Sequence, residues 1–256
     1  MNHSTLIKAA YWPLDFGKRM RDGGRFYVLG ECNSIYGQGA VSVSDVFGAT
    51  LWNVDFALYM ASNVSMIHST RLVLSEWSKQ NVRRVHMHQG TSYRYASWLP
   101  VQVNDTAPHV RPPYYGNLFV SRFIGSSGKT RVANFPLDDH VNVAYAAYDD
   151  DKLARIVFLN MKEYNATKTD DGHIECRPVT TFRFPAPKGY TQARIAKLWA
   201  PNAHETTGIT IDGVSYSYET LGKPLRVKDD AKVVKAKDGE FSVKVEASGA
   251  VMITLL

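Results

Sequence analysis

The stretch Tyr27-Val28-Leu29-Gly30-Glu31-Cys32-Asn33-Ser34 drives a short apolar run directly into a carboxylate followed by an amide. Residues 26–29 are too few for a helix and are bounded by Gly23-Gly24 and Gly30, so they read as a short buried strand. Glu31 then stands at the C-terminal end of that strand, where a parallel α/β barrel carries its catalytic groups. Taken alone, a carboxylate in that place is more often an exposed loop residue or a helix N-cap than a catalyst, so the next residues in the chain decide. They form a Gly-, Ser- and Tyr-rich loop over 35–42, a helical pattern, and a second strand that again ends in polar groups. Two βα units in succession are expected.

Ser44 is a suitable N-cap for a helix whose apolar residues Phe47, Leu51, Val54 and Leu58 recur at helical spacing. Trp52, Phe56 and Tyr59 widen the stripe, as core residues of a helix flanked on several sides do. The second strand is Arg84-Val85-His86-Met87-His88-Gln89-Gly90, with His86 and His88 on one face and Val85 and Met87 on the other. No third ligand stands at a zinc-like spacing from the two histidines, so hydrogen bonding rather than metal binding is expected of them, and no cofactor is expected. The loop Thr91-Ser92-Tyr93-Arg94-Tyr95 offers the hydroxyls and flat faces that sugar sites use, and a helix begins near Pro113 and runs through Phe123.

From about Lys129 the pattern turns to strands over 141–148, 153–161, 179–184, 193–199, 208–211, 241–245 and 250–256. Asp149-Asp150-Asp151-Lys152 and Asp212-Gly213, each between apolar runs, are hairpin signals rather than metal sites. The fold expected is therefore α/β plus all-β: residues 1–125 as the last two βα units of a (β/α)8 TIM-type barrel, and residues 126–256 as a β-sandwich with no catalytic constellation of its own.

With 256 residues, 45% of them hydrophobic, the chain is globular and large enough for one or two domains. Its net charge of +6 suits an acidic sugar, but Lys and Arg are scattered and no basic block is interleaved with aromatics, so nucleic acid is not an expected partner. Cys32 and Cys176 fit no metal spacing, and Cys32 reads as a packed thiol beside the site. No apolar run has the length of a membrane span, and the first residues lack the pattern of a signal peptide, which leaves the location of this chain unspecified. Sequons at Asn2, Asn63, Asn104 and Asn165 matter only for a secreted protein.

Residues 64–80 are out of place between the helix and the His-containing strand, where about two to six residues are usual. Excising these seventeen residues joins Asn63 to Asn81 in a short loop. Val64-Ser65-Met66 can be encoded as GTA AGT ATG, the start of a spliceosomal intron, and Gln80 as CAG, its end. A retained intron is the expectation, against a genuine helical insertion packed through Leu72, Leu74 and Trp77; the transcript sequence separates the two.

Taken together, residues 29–34, Gly39-Ala40-Val41-Ser42-Val43-Ser44-Asp45-Val46-Phe47, Leu51-Trp52 with Asp55-Phe56, His86-Met87-His88-Gln89-Gly90, and Pro112-Pro113-Tyr114-Tyr115-Gly116-Asn117-Leu118-Phe119 resemble the C-terminal half of glycoside hydrolase family 79, the β-glucuronidase and heparanase-like group. The resemblance is to its fungal members above all and spans nearly the whole chain except 64–80. It implies a retaining hydrolase of terminal β-glucuronic acid in glycans, with a (β/α)8 barrel and an appended β-sandwich. The family's nucleophile ends barrel strand seven, and Glu31 matches it. The resemblance further implies that Tyr36 and the loop from Gly90 to Tyr95 recognise the glucuronate carboxylate, with Tyr93 and Tyr95 both open for that role. Asn33 could orient Glu31, and His88 and Gln89 would line the site.

The family's acid/base glutamate ends strand four, and no residue here matches it, so the segment is expected to be inactive alone. A gene model opened at an internal methionine would account for that. Two readings of other classes stand beside this one: a stand-alone carbohydrate-binding β-sandwich, and a pseudoenzyme or interaction protein that completes its sheet with another chain.

Overall fold

The computed structural model describes residues 1–63, 82–135, 137, 139–166 and 175–256; the suspected insertion at 64–80 lies outside the described residues. The chain opens with α1 (His3–Asp22), capped by the Asn2 side chain, which accepts from the Thr5 N–H at 3.2 Å. Sequence reading assigns nothing to this segment, where Pro13 and Gly17 interrupt the pattern. The helix holds because Leu6, Ala10 and Leu14 recur every four residues and are buried, whereas Ile7, Tyr11, Trp12 and Phe16 on its other side are exposed.

Then come β1 (Tyr27–Cys32), α2 (Phe47–Ser62) and β2 (Val82–Met87). β1 and β2 pair in parallel, with Val28 opposite Arg84, Leu29 opposite Val85 and Cys32 opposite Met87, and α2 lies in the crossover between them. Tyr27, Leu29, Cys32, Val85 and Met87 pack toward Leu6, Ala10, Leu14, Phe56 and Met60. Val28, Gly30, Arg84 and His86 lie on the other, exposed face.

Ser44 is not the cap of α2. Val46 occupies the N-cap position in extended conformation without a side-chain bond, and the buried Ser44 hydroxyl instead accepts from Ala40 N–H at 3.1 Å and bonds Ser34. The helix's first N–H groups are satisfied from far along the chain: Phe47 N–H donates to Glu205 O and Gly48 N–H to Ala203 O, both at 2.8 Å. A tertiary contact has taken over the work of a local cap.

After β3 (Trp98–Leu99), β4 (His109–Val110) and α3 (Pro112–Ile124), the chain forms strands. They are β5 (Arg131–Phe135), β6 (Asn142–Asp149), β7 (Lys152–Asn160), β8 (Val179–Pro185), β9 (Gln192–Trp199), β10 (Thr210–Ile211), β11 (Val214–Tyr216), β12 (Pro224–Arg226), β13 (Lys232–Lys235), β14 (Glu240–Glu246) and β15 (Gly249–Leu255). Nine of them form one sheet in the order β12-β11-β10-β9-β15-β7-β6-β5, with β13 also on β9, and the β14-β8 pair covers one of its faces. Period-two alternation sorts their side chains between two cores. Val143, Tyr145, Val157, Leu159, Ala250 and Met252 pack with Phe47, Leu51, Leu58, Phe119 and Phe123 of α2 and α3. Their neighbours Ala144, Ile156, Phe158, Val251 and Ile253 pack with Phe182, Phe241 and Val243 of the opposing pair. The sheet is thus buried on both faces in a sandwich-like domain, and truncating fully buried Phe119 to Ala would cost about 3–5 kcal/mol.

Both expected hairpins are present. Asp150 and Asp151 at φ 47° and 65°, and Asp212 and Gly213 at φ 57° and 72°, place both central residues of each two-residue turn in the left-handed region. Among the described residues no helix is long and apolar enough to cross a membrane.

Candidate active site

Parallel pairing brings the C-terminal ends of β1 and β2 side by side, and backbone bonds fix them there. His88 N–H donates to Cys32 O at 3.0 Å, and Asn33 Nδ2 donates to His88 O at 3.1 Å while its Oδ1 accepts from Ser34 N–H at 2.9 Å. The side-chain amide of Asn33, two residues beyond Glu31, therefore ties the two strand ends together.

Glu31 lies within β1, one residue before its end, and its side chain is 70% exposed. Glu31 Oε1 is 3.0 Å from His88 Nδ1, which is also 3.2 Å from the Tyr95 hydroxyl. A carboxylate only accepts, so we assign the Nδ1–H tautomer, whose one proton can face both oxygens. The imidazole is held by aromatic edges: its centroid is 5.1 Å from that of Tyr93 and 6.1 Å from that of Tyr95, and the two tyrosine rings are 5.6 Å apart. Tyr95 is buried, and desolvation first, then the neighbouring Tyr93 and Glu31, push its hydroxyl pKa up, against a lowering by a backbone hydrogen bond at Gln38. It remains a neutral hydroxyl beside a carboxylate.

Of the other residues expected at the site, Gly90 is explained by space: a Cβ there would meet the Tyr93 ring at 2.5 Å. Gln89 is exposed but tied back to the backbone, its Oε1 accepting from Ser97 N–H at 2.6 Å and its Nε2 donating to His88 O at 3.0 Å, so it braces the loop. Tyr36 is 100% exposed in the loop after β1 and is not brought into the cluster. His86 sits on the exposed face of β2, and among the described residues no three His, Cys, Asp or Glu side chains are grouped to hold a metal ion.

Sequence reading misses the supports of the tyrosine loop. Buried Arg111 donates from Nη1 to Tyr93 O at 2.6 Å, and desolvation, then Arg94, lower its guanidinium pKa while Asp45 opposes them. Arg94 pairs with Asp45 at 3.2 Å, and its N–H donates to Gln38 O at 2.8 Å, fastening this loop to the one after β1. Asn117 Nδ2 donates to Ser97 Oγ at 2.9 Å, and its Oδ1 accepts from Asn53 Nδ2 at 2.8 Å. These contacts span up to 64 residues, and no spacing rule announces them. Cys32 is a free, partly buried thiol, as expected, and burial pushes its pKa up to about 11.

Residues 144–252 match the family model described as glycosyl hydrolase family 79 C-terminal beta domain. The whole chain is 35% identical to a beta-glucuronidase of Aspergillus niger, of which it covers 47%. Over 78% of its length it is 34% identical to a beta-glucuronidase of Neurospora crassa, of which it covers 38%. Among solved structures, a 4-O-alpha-L-rhamnosyl-beta-D-glucuronidase from Fusarium oxysporum matches 99% of this chain and 48% of its own at a TM-score of 0.76 and 19% identity, which shows a shared fold. The chain spans about half the length, or less, of the relatives it matches.

Proposed function

We propose that the chain, whose residues 144–252 match the C-terminal beta domain of glycosyl hydrolase family 79, is the C-terminal part of a retaining β-glucuronidase, with Glu31 as the nucleophile. The observation that carries the reading is the Glu31–His88 contact at 3.0 Å, at the C-terminal ends of two parallel strands joined through a helix. Residues 1–125 then form the last two βα units of a (β/α)8 barrel and residues 126–256 its appended sandwich. Supporting this, Val28, Gly30, Arg84 and His86 present an exposed strand face of the kind a barrel encloses, and Ile7, Tyr11, Trp12 and Phe16 present an exposed helix face of the kind a neighbouring barrel helix covers.

In such an enzyme a carboxylate oxygen of Glu31 bonds to the anomeric carbon as the bond to the aglycone oxygen breaks, and that oxygen takes a proton from a second carboxylic acid about 5–5.5 Å away. Water, deprotonated by the second group, then displaces the glycosyl ester and frees Glu31. The second carboxylate belongs to a barrel strand other than these two. His88 positions Glu31 by hydrogen bonding, and Asn33 fixes the strand ends. Tyr93 and Tyr95 supply hydroxyls for the glucuronate carboxylate, and Gln89 and Gly90 shape the loop that presents them, while Tyr36, exposed on the loop after β1, is not placed to join them.

The chain alone is expected to show no hydrolysis of an aryl β-glucuronide. Joined to six upstream βα units it is expected to hydrolyse it, with kcat falling by about a thousandfold or more in Glu31→Gln. Turnover that survives Glu31→Gln would refute the nucleophile. Turnover by the chain alone, abolished in Glu31→Gln, would refute only its incompleteness.

A further inference from the structure

A second polar concavity lies at the other end of α3. Arg111, which holds the Tyr93 loop, occupies the N-cap position of the helix, and Arg122 stands in its last turn, about 16 Å away along the axis. Arg122 shares a cavity of about 300 Å³ with Arg194 of β9, Asp212 of the β10–β11 turn and Arg226 of β12. Ala196, Val214 and Met252 line the same cavity and give it an apolar wall.

Each guanidinium is anchored through one terminal nitrogen. Arg122 Nη2 donates to the Tyr216 hydroxyl at 2.6 Å and Arg194 Nη2 to Asp212 Oδ2 at 2.7 Å, while Arg226 Nη1 donates to Asp212 O at 3.2 Å and approaches Asp229 at 3.8 Å. Their remaining N–H groups stay available to a ligand. Asp212 is the informative residue: it is 4% exposed, and its Oδ1 is buried without a hydrogen-bond partner among the described residues. A buried carboxylate oxygen without a donor is costly, so this cavity wants a donor as well as an anion. A bare anion offers acceptors only and would face Asp212 Oδ1 with like charge. A hydroxylated carboxylate satisfies both, placing its carboxylate among the three guanidinium groups, a hydroxyl on Asp212 Oδ1 and its C–H face on the apolar wall.

We propose that this cavity is a binding site for an acidic monosaccharide unit, a uronate, carried by the β-domain. It goes beyond the Glu31 reading, on which only the choice of a uronate among hydroxylated carboxylates rests. The test is isothermal titration of the 256-residue chain with methyl β-D-glucuronide, methyl β-D-glucoside and inorganic sulfate. The glucuronide is expected to bind roughly tenfold or more tightly than either of the other two, as bidentate guanidinium pairing plus a satisfied buried acceptor predicts. Arg194→Gln/Arg226→Gln, two exposed side chains, is expected to abolish that binding, and Lys188→Gln, an exposed side chain outside both sites, to leave it unchanged. Should the double variant fail to fold, Arg226→Gln alone is expected to weaken binding about fivefold. Equal affinity for the glucoside overturns the proposal, as does sulfate binding as tightly as the glucuronide, which would mean an adventitious ion only. Binding that survives the arginine variants but is lost on changing Tyr93 or Tyr95 also overturns it, by placing the ligand beside Glu31.

Discussion

Replacing Tyr145 with Phe tests how the helices are locked to the large sheet. Tyr145 on β6 and Asp55 on α2 are both fully buried. The Tyr145 hydroxyl donates to Asp55 Oδ1 at 2.6 Å, and His3 Nδ1 approaches both carboxylate oxygens at 3.0 and 2.9 Å. Three elements meet on one carboxylate: α1 through His3, α2 through Asp55 and the sheet through Tyr145. Burial, then the charge of Asp55, hold the Tyr145 hydroxyl well above the usual tyrosine pKa, so it serves as a donor. Phe fills the same space apart from one oxygen, so the expected loss is one hydrogen bond to a charged acceptor, about 1.5–3 kcal/mol. At about 2–4 °C per kcal/mol for a chain of this size, the thermal midpoint should fall by roughly 3–12 °C. His3→Ala removes the other partner, and the double variant should show coupling of about 0.5 kcal/mol or more, because both singles strand the same carboxylate. Thermal and urea unfolding followed by circular dichroism provide the assay. A Tyr145→Phe midpoint within about 1 °C of the parent would show that Asp55 does not need this donor and would refute the reasoning.

Two further outcomes are expected. Gly90→Ala would drive a methyl group into the Tyr93 ring, at a cost of about 1–3 kcal/mol, and the ring would leave His88. Unchanged NMR shifts of the His88 ring protons would contradict this. A Cys32 thiol with its pKa at about 11 is, at pH 8, about one part in a thousand thiolate, roughly a hundredth of what the ordinary value of 9.0 allows. Iodoacetamide should therefore label exposed Cys176 long before Cys32, and equal rates by mass spectrometry would rule that out.

The strand pattern from residue 142 onward is legible because each strand writes its own alternation: Val143 and Tyr145 go to one core and Ala144 to the other. The hairpins at Asp150-Asp151 and Asp212-Gly213 are equally local, since turn residues declare themselves. Helix α1 escapes sequence reading because Pro13 and Gly17 break its pattern and its face is identified only by what lies beneath it. Ser44 misleads for a related reason: a good local cap is redundant once Ala203 and Glu205 supply carbonyls to the helix end.

At the candidate site, the sequence by itself determined that Glu31 comes after an apolar strand, that His88 comes after another, and that tyrosines crowd the next loop. Tertiary structure decided which of them meet. It set His88 between Glu31 and Tyr95, kept Tyr36 apart in solvent, turned Gln89 into a brace and brought Arg111 beneath Tyr93. It also assembled Arg122, Arg194 and Arg226 around Asp212 from a helix, two strands and a turn. The physical reason is range: periodicity and turn chemistry are fixed by neighbours a few residues apart, whereas a site depends on contacts between residues distant along the chain, whose partners only packing selects.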